Sequence, residues 1–138
     1  QSGWVPVHEI SDSLAYDPVA LAEALLGTPY LWCGNSRGGI DCSGMVQAAL
    51  HGCGIACPGD ADLQEHAFEP VEEMRRGDLL FWPGHVAMVC GDGRMVHATA
   101  WQMRVIHEDI ASAIARIDAS GNGPFRGARR PPAVPISL

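Results

Sequence analysis

The hydrophobic period of the chain changes at Gly77, and that change limits it to one class of fold. Upstream, apolar residues recur at helical spacing. Asp17-Pro18 opens a first helix, with Asp17 as N-cap and Pro18 at the first helical position. Val19, Leu21, Ala22, Leu25 and Leu26 form its apolar stripe, and Gly27 ends it. A second helix runs over residues 42–51, with Val46, Ala49, Leu50 and Cys53 on one face and Gly52 and Gly54 closing it. Downstream of Gly77, residues 78–82, 85–90, 94–100 and 104–107 read as short strands, followed by a short helix over 109–115. Residues 28–39 form a turn-rich loop, residues 55–77 a long connection with one helical turn near 62–66, and residues 116–138 one strand and an irregular tail. Helices first and strands afterwards predict an α+β fold with an antiparallel sheet.

At 138 residues and 47% apolar content, the chain suits one domain with one core. No apolar run approaches the roughly 20 residues that span a bilayer as a helix. The formal charge is −7, and all nine basic residues are Arg. That balance disfavours nucleic acid and anionic membrane as partners, because both need concentrated positive charge. The basic clusters Arg75-Arg76 and Arg126, Arg129 and Arg130 read as solvated loop charge. Residues 1–10 lack the basic start and long apolar stretch of a signal peptide, and a chain beginning at Gln1 reads as a fragment or processed form. Five cysteines cannot all pair, so most are expected to be reduced and one reactive, which leans towards a reducing compartment.

The segment Asp41-Cys42-Ser43-Gly44 sits where a loop enters a helix. There the helix dipole and unpaired backbone N–H groups are expected to lower the thiol pKa and favour the nucleophilic thiolate. The same N–H groups suit the oxyanion of a tetrahedral intermediate. A buried structural cysteine is the plainer alternative. Two histidines qualify as its base: His85 in one alternating strand and His97 in the next, separated by Gly91-Asp92-Gly93. A two-residue Asp92-Gly93 turn would pair Val89 with Val96 and put the histidines on opposite faces. A three-residue loop would pair Ala87 with His97 and put them on one face, where His85 can take the thiol proton and His97 can orient it. Among the aromatics, Trp82 reads as core, while Trp32 and Trp101 suit either core or cleft; the five methionines read as core fillers.

Four stretches together resemble the NlpC/P60 family of cell-wall cysteine peptidases: residues 26–32 (LGTPYLW), 41–47 (DCSGMVQ), 76–88 (RGDLLFWPGHVAM) and 95–98 (MVHA), within residues 26–117. The resemblance implies a papain-like α+β core, a nucleophile helix packed on a central antiparallel sheet. It implies hydrolysis of γ-D-glutamyl–diamino acid bonds in peptidoglycan stem peptides or murein fragments, without metal or organic cofactor, by a monomer. Cys42 is then the nucleophile, His85 the base and His97 the polar third residue. Tyr30 is placed to hold the oxyanion or substrate. Asp41 and Ser43 are placed to bind the amine end of a free stem peptide, with Trp32 and Asp60 also expected at the substrate. Residues 1–13 look like an extended arm ending a preceding bacterial SH3-like domain, residues 14–130 the catalytic domain, and 131–138 an irregular tail. The compartment is either the cytoplasm, where murein peptides are recycled, or the bacterial envelope.

Two departures stand out. Cys33 occupies a position where the family usually has Gly, and Gly59 and Ala61 replace the Arg and Ser of stem-peptide binders, which puts substrate specificity in question. Three other readings compete. His51, Cys53 and Cys57, joined by Cys33 and Cys90, would form a metal site, although no second tight pair follows. The fold would serve as a non-catalytic wall-binding module. The same Cys–His pair would run an amidase or acyl transferase.

Overall fold

The computed structural model describes residues 17–31, 35–36 and 39–133. The expected arm over residues 1–13, Trp32, Cys33 and residues 134–138 of the expected tail lie outside them. Helix α1 (Pro18–Glu23) starts as the sequence predicts, with the Asp17 carboxylate accepting from the Val19 N–H at 3.0 Å. It ends a turn early, so Val19 and Ala22 are buried while Leu26 is 41% exposed. The two-residue strands β1 (Asn35–Ser36) and β2 (Gly39–Ile40) pair antiparallel and lead into α2 (Cys42–Gly52). The turn expected near residue 64 is helix α3 (Ala61–Ala67), followed by β3 (Glu69–Val71). Then come β4 (Leu79–Trp82), β5 (His85–Gly91), β6 (Arg94–Thr99), β7 (Arg104–Asp109), α4 (Ile110–Ala119) and β8 (Gly127–Arg130).

Strands β3 to β8 make one antiparallel sheet in the order β3-β8-β4-β5-β6-β7. Both faces are covered, which is why β4 reads Leu-Leu-Phe-Trp and is buried throughout. On one face, Met45, Val46, Ala49 and Leu50 of α2 pack on Leu79, Phe81, Val86, Met88, Val96 and Ala98. On the other, Ile110, Ala113 and Ile117 of α4 cover Leu80, Trp82, Ala87, Val89 and Met95. Met45, Met88 and Met95 fill the core as expected, whereas Met74 and Met103 are exposed.

Of the clusters read as solvated loop charge, Arg75 is exposed in a loop as expected, whereas the other arginines make specific contacts. Arg129 and Arg130 lie in β8, and Arg130 makes a two-pronged contact with the buried Asp78, Nε to Oδ1 at 2.8 Å and a terminal nitrogen to Oδ2 at 2.9 Å. Arg126 pairs with Glu65 at 3.1 Å and Arg76 with Asp17 at 2.7 Å. A carboxylate as buried as Asp78 requires such a partner, so β8 is drawn into the sheet despite its polar sequence.

The β5–β6 hairpin resolves the register by combining both alternatives. Its turn is the two-residue one, with Asp92 at φ 55° and Gly93 at φ 75°, and Gly91 pairs with Arg94. A bulge between Val89 and Gly91 then absorbs Cys90, so Val89 pairs with Met95 and Met88 with Val96. The one-residue shift puts His85 and His97 on one face, as the three-residue loop would have done.

Candidate active site

Helix α2 presents its first residue to the sheet. Asp41 caps α2 by accepting from the Gly44 N–H at 2.7 Å, which leaves Cys42 at the first helical position. The Cys42 sulfur lies 3.9 Å from the Gly84 carbonyl and is approached by the Val86 N–H, at the start of β5. That start is set by the tight turn Pro83-Gly84 between Trp82 and His85. Gly84 takes a φ of 70°, which favours glycine, after a proline with fixed φ. His85 therefore begins β5 directly beside the thiol's strand contact.

Cys42, His85 and Tyr30 line one cavity of about 270 Å³, together with Trp101, Arg116 and Asn122. Tyr30 is held there by its N–H donating to the Met103 carbonyl at 2.8 Å and by a bridge to Ile40. Behind His85, its Nε2 lies 2.7 Å from His97 Nδ1, and the rings meet edge-on. His97 is fully buried, and its Nε2 lies 2.9 Å from Glu108 Oε1. Arg116 grips Glu108 through two hydrogen bonds of 3.1 and 2.8 Å and lies 3.9 Å above the exposed Trp101 ring.

The electrostatics differ from the sequence expectation for the thiol. Burial pushes Cys42 up to about 11, with the Asp41 charge adding to it, and backbone N–H groups of Val86, Ser43 and Cys42 offset only part. The helix start is real, but its donors act on a buried sulfur beside a carboxylate, so desolvation wins. Burial, His97 and Arg116 bring His85 down to about 3. The resting pair is thus a neutral thiol and a neutral imidazole. Glu108 is held down at about 2: burial opposes this, but hydrogen bonds from His97 and Arg116 outweigh it.

Of the other residues singled out from sequence, Ser43 is buried with its hydroxyl 3.4 Å from Asp41 Oδ1. Asp60 is exposed, caps α3 through the Asp62 N–H at 2.8 Å and does not line the cavity. Trp32 lies outside the described residues. Trp82 is core and contacts the His85 ring, and Trp101 is a cavity wall. Glu108 and Arg116 were missed. The strand was expected to stop at residue 107, whereas it continues to Asp109 and puts Glu108 across from Met95, on the His97 face. Extending the alternation of His97 onto the neighbouring strand by one residue would have found the carboxylate.

Two other places carry related chemistry. His51 and Cys57 border a larger hollow of about 730 Å³, but the His51 ring meets the Cys57 carbonyl at 3.1 Å and the Cys57 thiol donates to the Pro58 carbonyl at 3.3 Å. Neither is aimed at the other as base and nucleophile, and among the described residues His51, Cys53, Cys57 and Cys90, the competing metal reading, do not form a ligand cluster; Cys33 lies outside them. Among the described residues, Glu23, Cys90 and His107 do bring one ligand atom each within 4.8 Å, although Glu23 and His107 already pair at 2.7 Å. Cys42, Cys57 and Cys90 are free thiols.

The sequence pattern of the NlpC/P60 family matches residues 27–117. A probable endopeptidase of Mycobacterium tuberculosis is 34% identical over 127 residues, 86% of this chain and 31% of the relative. A gamma-D-glutamyl-L-lysine dipeptidyl-peptidase of Bacillus subtilis is 36% identical over 108 residues, 71% of this chain and 36% of the relative. The chain thus spans about a third of the length of these relatives. The solved structure of an NlpC/P60 family protein from Bacillus cereus superposes with a TM-score of 0.72 at 30% identity, over 88% of this chain and 40% of that one.

Proposed function

Because the chain belongs to the NlpC/P60 family, we propose that it is a cysteine peptidase of bacterial cell-wall peptides, cutting γ-D-glutamyl–diamino acid bonds with Cys42 as nucleophile and His85 as base. The observation that carries this reading is one cavity holding a helix-start cysteine and a histidine whose far ring nitrogen is engaged by a second, buried histidine. The names of the relatives support the substrate class: one is a gamma-D-glutamyl-L-lysine dipeptidyl-peptidase and another a peptidoglycan endopeptidase.

The chemistry follows from a neutral resting pair. As the Cys42 sulfur attacks the γ-glutamyl carbonyl, its proton passes to His85, so no standing thiolate is required. The Cys42 N–H, with Tyr30 beside it in the cavity, stabilises the oxyanion. The His85 imidazolium protonates the leaving amine of the diamino acid, which frees it and leaves a thioester on Cys42. Neutral His85 then takes a proton from water, hydroxide attacks the thioester, and the thiol recovers the proton as the carboxylate product leaves. His97 orients His85 through the 2.7 Å contact. No step draws on a metal or cofactor, so turnover is expected to survive a chelator. Cys42→Ala is expected to abolish turnover while keeping the fold, measured by peptide cleavage beside circular dichroism. A Cys42→Ala protein as active as the parent would remove Cys42 from the mechanism.

A further inference from the structure

His97 is fully buried, so each of its ring nitrogens needs a partner, and each has one: His85 Nε2 at 2.7 Å and Glu108 Oε1 at 2.9 Å. The direction of these two hydrogen bonds is decided at the far end of the chain. Glu108 is gripped by Arg116 through two short contacts, and an ionised carboxylate only accepts. His97 must therefore donate from Nε2. In its neutral form the His97 imidazole carries one N–H, so Nδ1 then accepts, and the donor to it is His85 Nε2. Neutral His85 is then left with its lone pair on Nδ1, the ring nitrogen not spent on His97.

We propose that Glu108, clamped by Arg116, is a positioning residue that dictates which nitrogens of His97 and His85 carry protons and thereby makes His85 Nδ1 the basic atom. This rests on the peptidase reading for its consequence, though not for its geometry. The residues come from four elements. His85 starts β5, His97 lies in β6, Glu108 in β7 and Arg116 in α4. The last two are eight residues apart, because α4 begins directly after β7 with Asp109 as its cap. Arg116 also stacks on Trp101 in the cavity wall, so the clamp is braced at the substrate side. A reversed pattern would have a consequence: if His97 donated from Nδ1, His85 Nε2 would have to accept, its proton would sit on Nδ1, and no lone pair would remain for the thiol proton.

The test reads proton positions directly. Histidine-selective ¹⁵N NMR of the intact protein, assigned with His85→Gln and His97→Gln, is expected to find the neutral form of each ring protonated on Nε2. Glu108→Ala is expected to mix the tautomers of both rings and to lower kcat on the order of 10- to 100-fold with KM little changed, part of the 10²–10⁴ that a positioned base supplies. Glu108→Asp is expected to restore the pattern and part of the rate. A wild-type spectrum with the proton on Nδ1 of either ring, or with His97 cationic, overturns the proposal. So does a Glu108→Ala protein with unchanged tautomers or full kcat. If that variant fails to fold, the wild-type spectrum and Glu108→Asp still decide. The spectra need no substrate, so an inactive wild type with the expected tautomers would count against the peptidase reading and leave the proton pattern standing.

Discussion

Cys42 and His85 enter the cavity uncharged, and that is unusual for a cysteine placed at a helix start. A helix dipole and local N–H donors lower a thiol pKa when water also reaches it; here burial and the Asp41 charge dominate and bring Cys42 to about 11. The difference between wild type and Cys42→Ser in thiolate ultraviolet absorbance is therefore expected to be absent at neutral pH and to grow only in strong base. A thiolate signal at neutral pH would contradict the neutral pair. Asp41→Asn tests the cause. Asn caps a helix as well as Asp does, so α2 should persist while the pH midpoint for alkylation of Cys42 moves down; an unchanged or higher midpoint would remove the Asp41 charge as a contributor.

At the scale of the elements, α2 and β5 position the chemistry, and both were legible in the sequence. Asp41-Cys42 reads as a helix entry, Pro83-Gly84 as a turn that begins a strand at His85, and the alternation around His85 and His97 as paired strands. Three features were not legible, each for a physical reason. The bulge at Cys90 has no periodic signature, yet it decides on which face His97 lies. The strand expected within residues 116–138 could not be placed at β8, where Arg129 and Arg130 read as loop charge, because Arg130's partner Asp78 is 52 residues away in sequence. Glu108 sits at a strand end where alternation fades into a helix cap. The Asp78 pair has a measurable consequence: Arg130→Gln leaves a buried carboxylate poorly compensated and is expected to lower the melting temperature more than Arg129→Gln, whose side chain serves only the Phe68 carbonyl among the described contacts. Equal melting temperatures would show the pair to be dispensable. In the core, Leu50→Ala is expected to cost about 2–5 kcal/mol by denaturant unfolding, since Leu50 is fully enclosed between α2 and the sheet.

The described residues form a papain-like α+β domain in which a sheet covered on both faces meets the Cys42 thiol of α2 from one side and carries His85 and His97 on the other. Its pH response follows from the buried relay. His85 falls from 6.5 to about 3 on folding and Glu108 from 4.5 to about 2. In both cases the unfolded chain takes up protons first on acidification. Their contributions are therefore present above 6.5 and 4.5 respectively and are lost as pH falls towards 3 and 2. Thermal stability is expected to decline on acidification through this window, and His85→Gln to flatten the upper part of the decline. A parent curve without that slope would contradict a buried, neutral His85.

The proposed peptidase activity comes down to one bond and the atom that attacks it. Wild type and Cys42→Ala should be incubated under reducing conditions with L-Ala-γ-D-Glu-meso-diaminopimelate, with its L-Lys counterpart and with purified cell wall, and the products read by mass spectrometry. Cleavage between D-Glu and the diamino acid is expected in at least one of these substrates, by wild type alone. Cleavage by Cys42→Ala at the wild-type rate, or a wild type that cuts none of the three, would contradict that expectation.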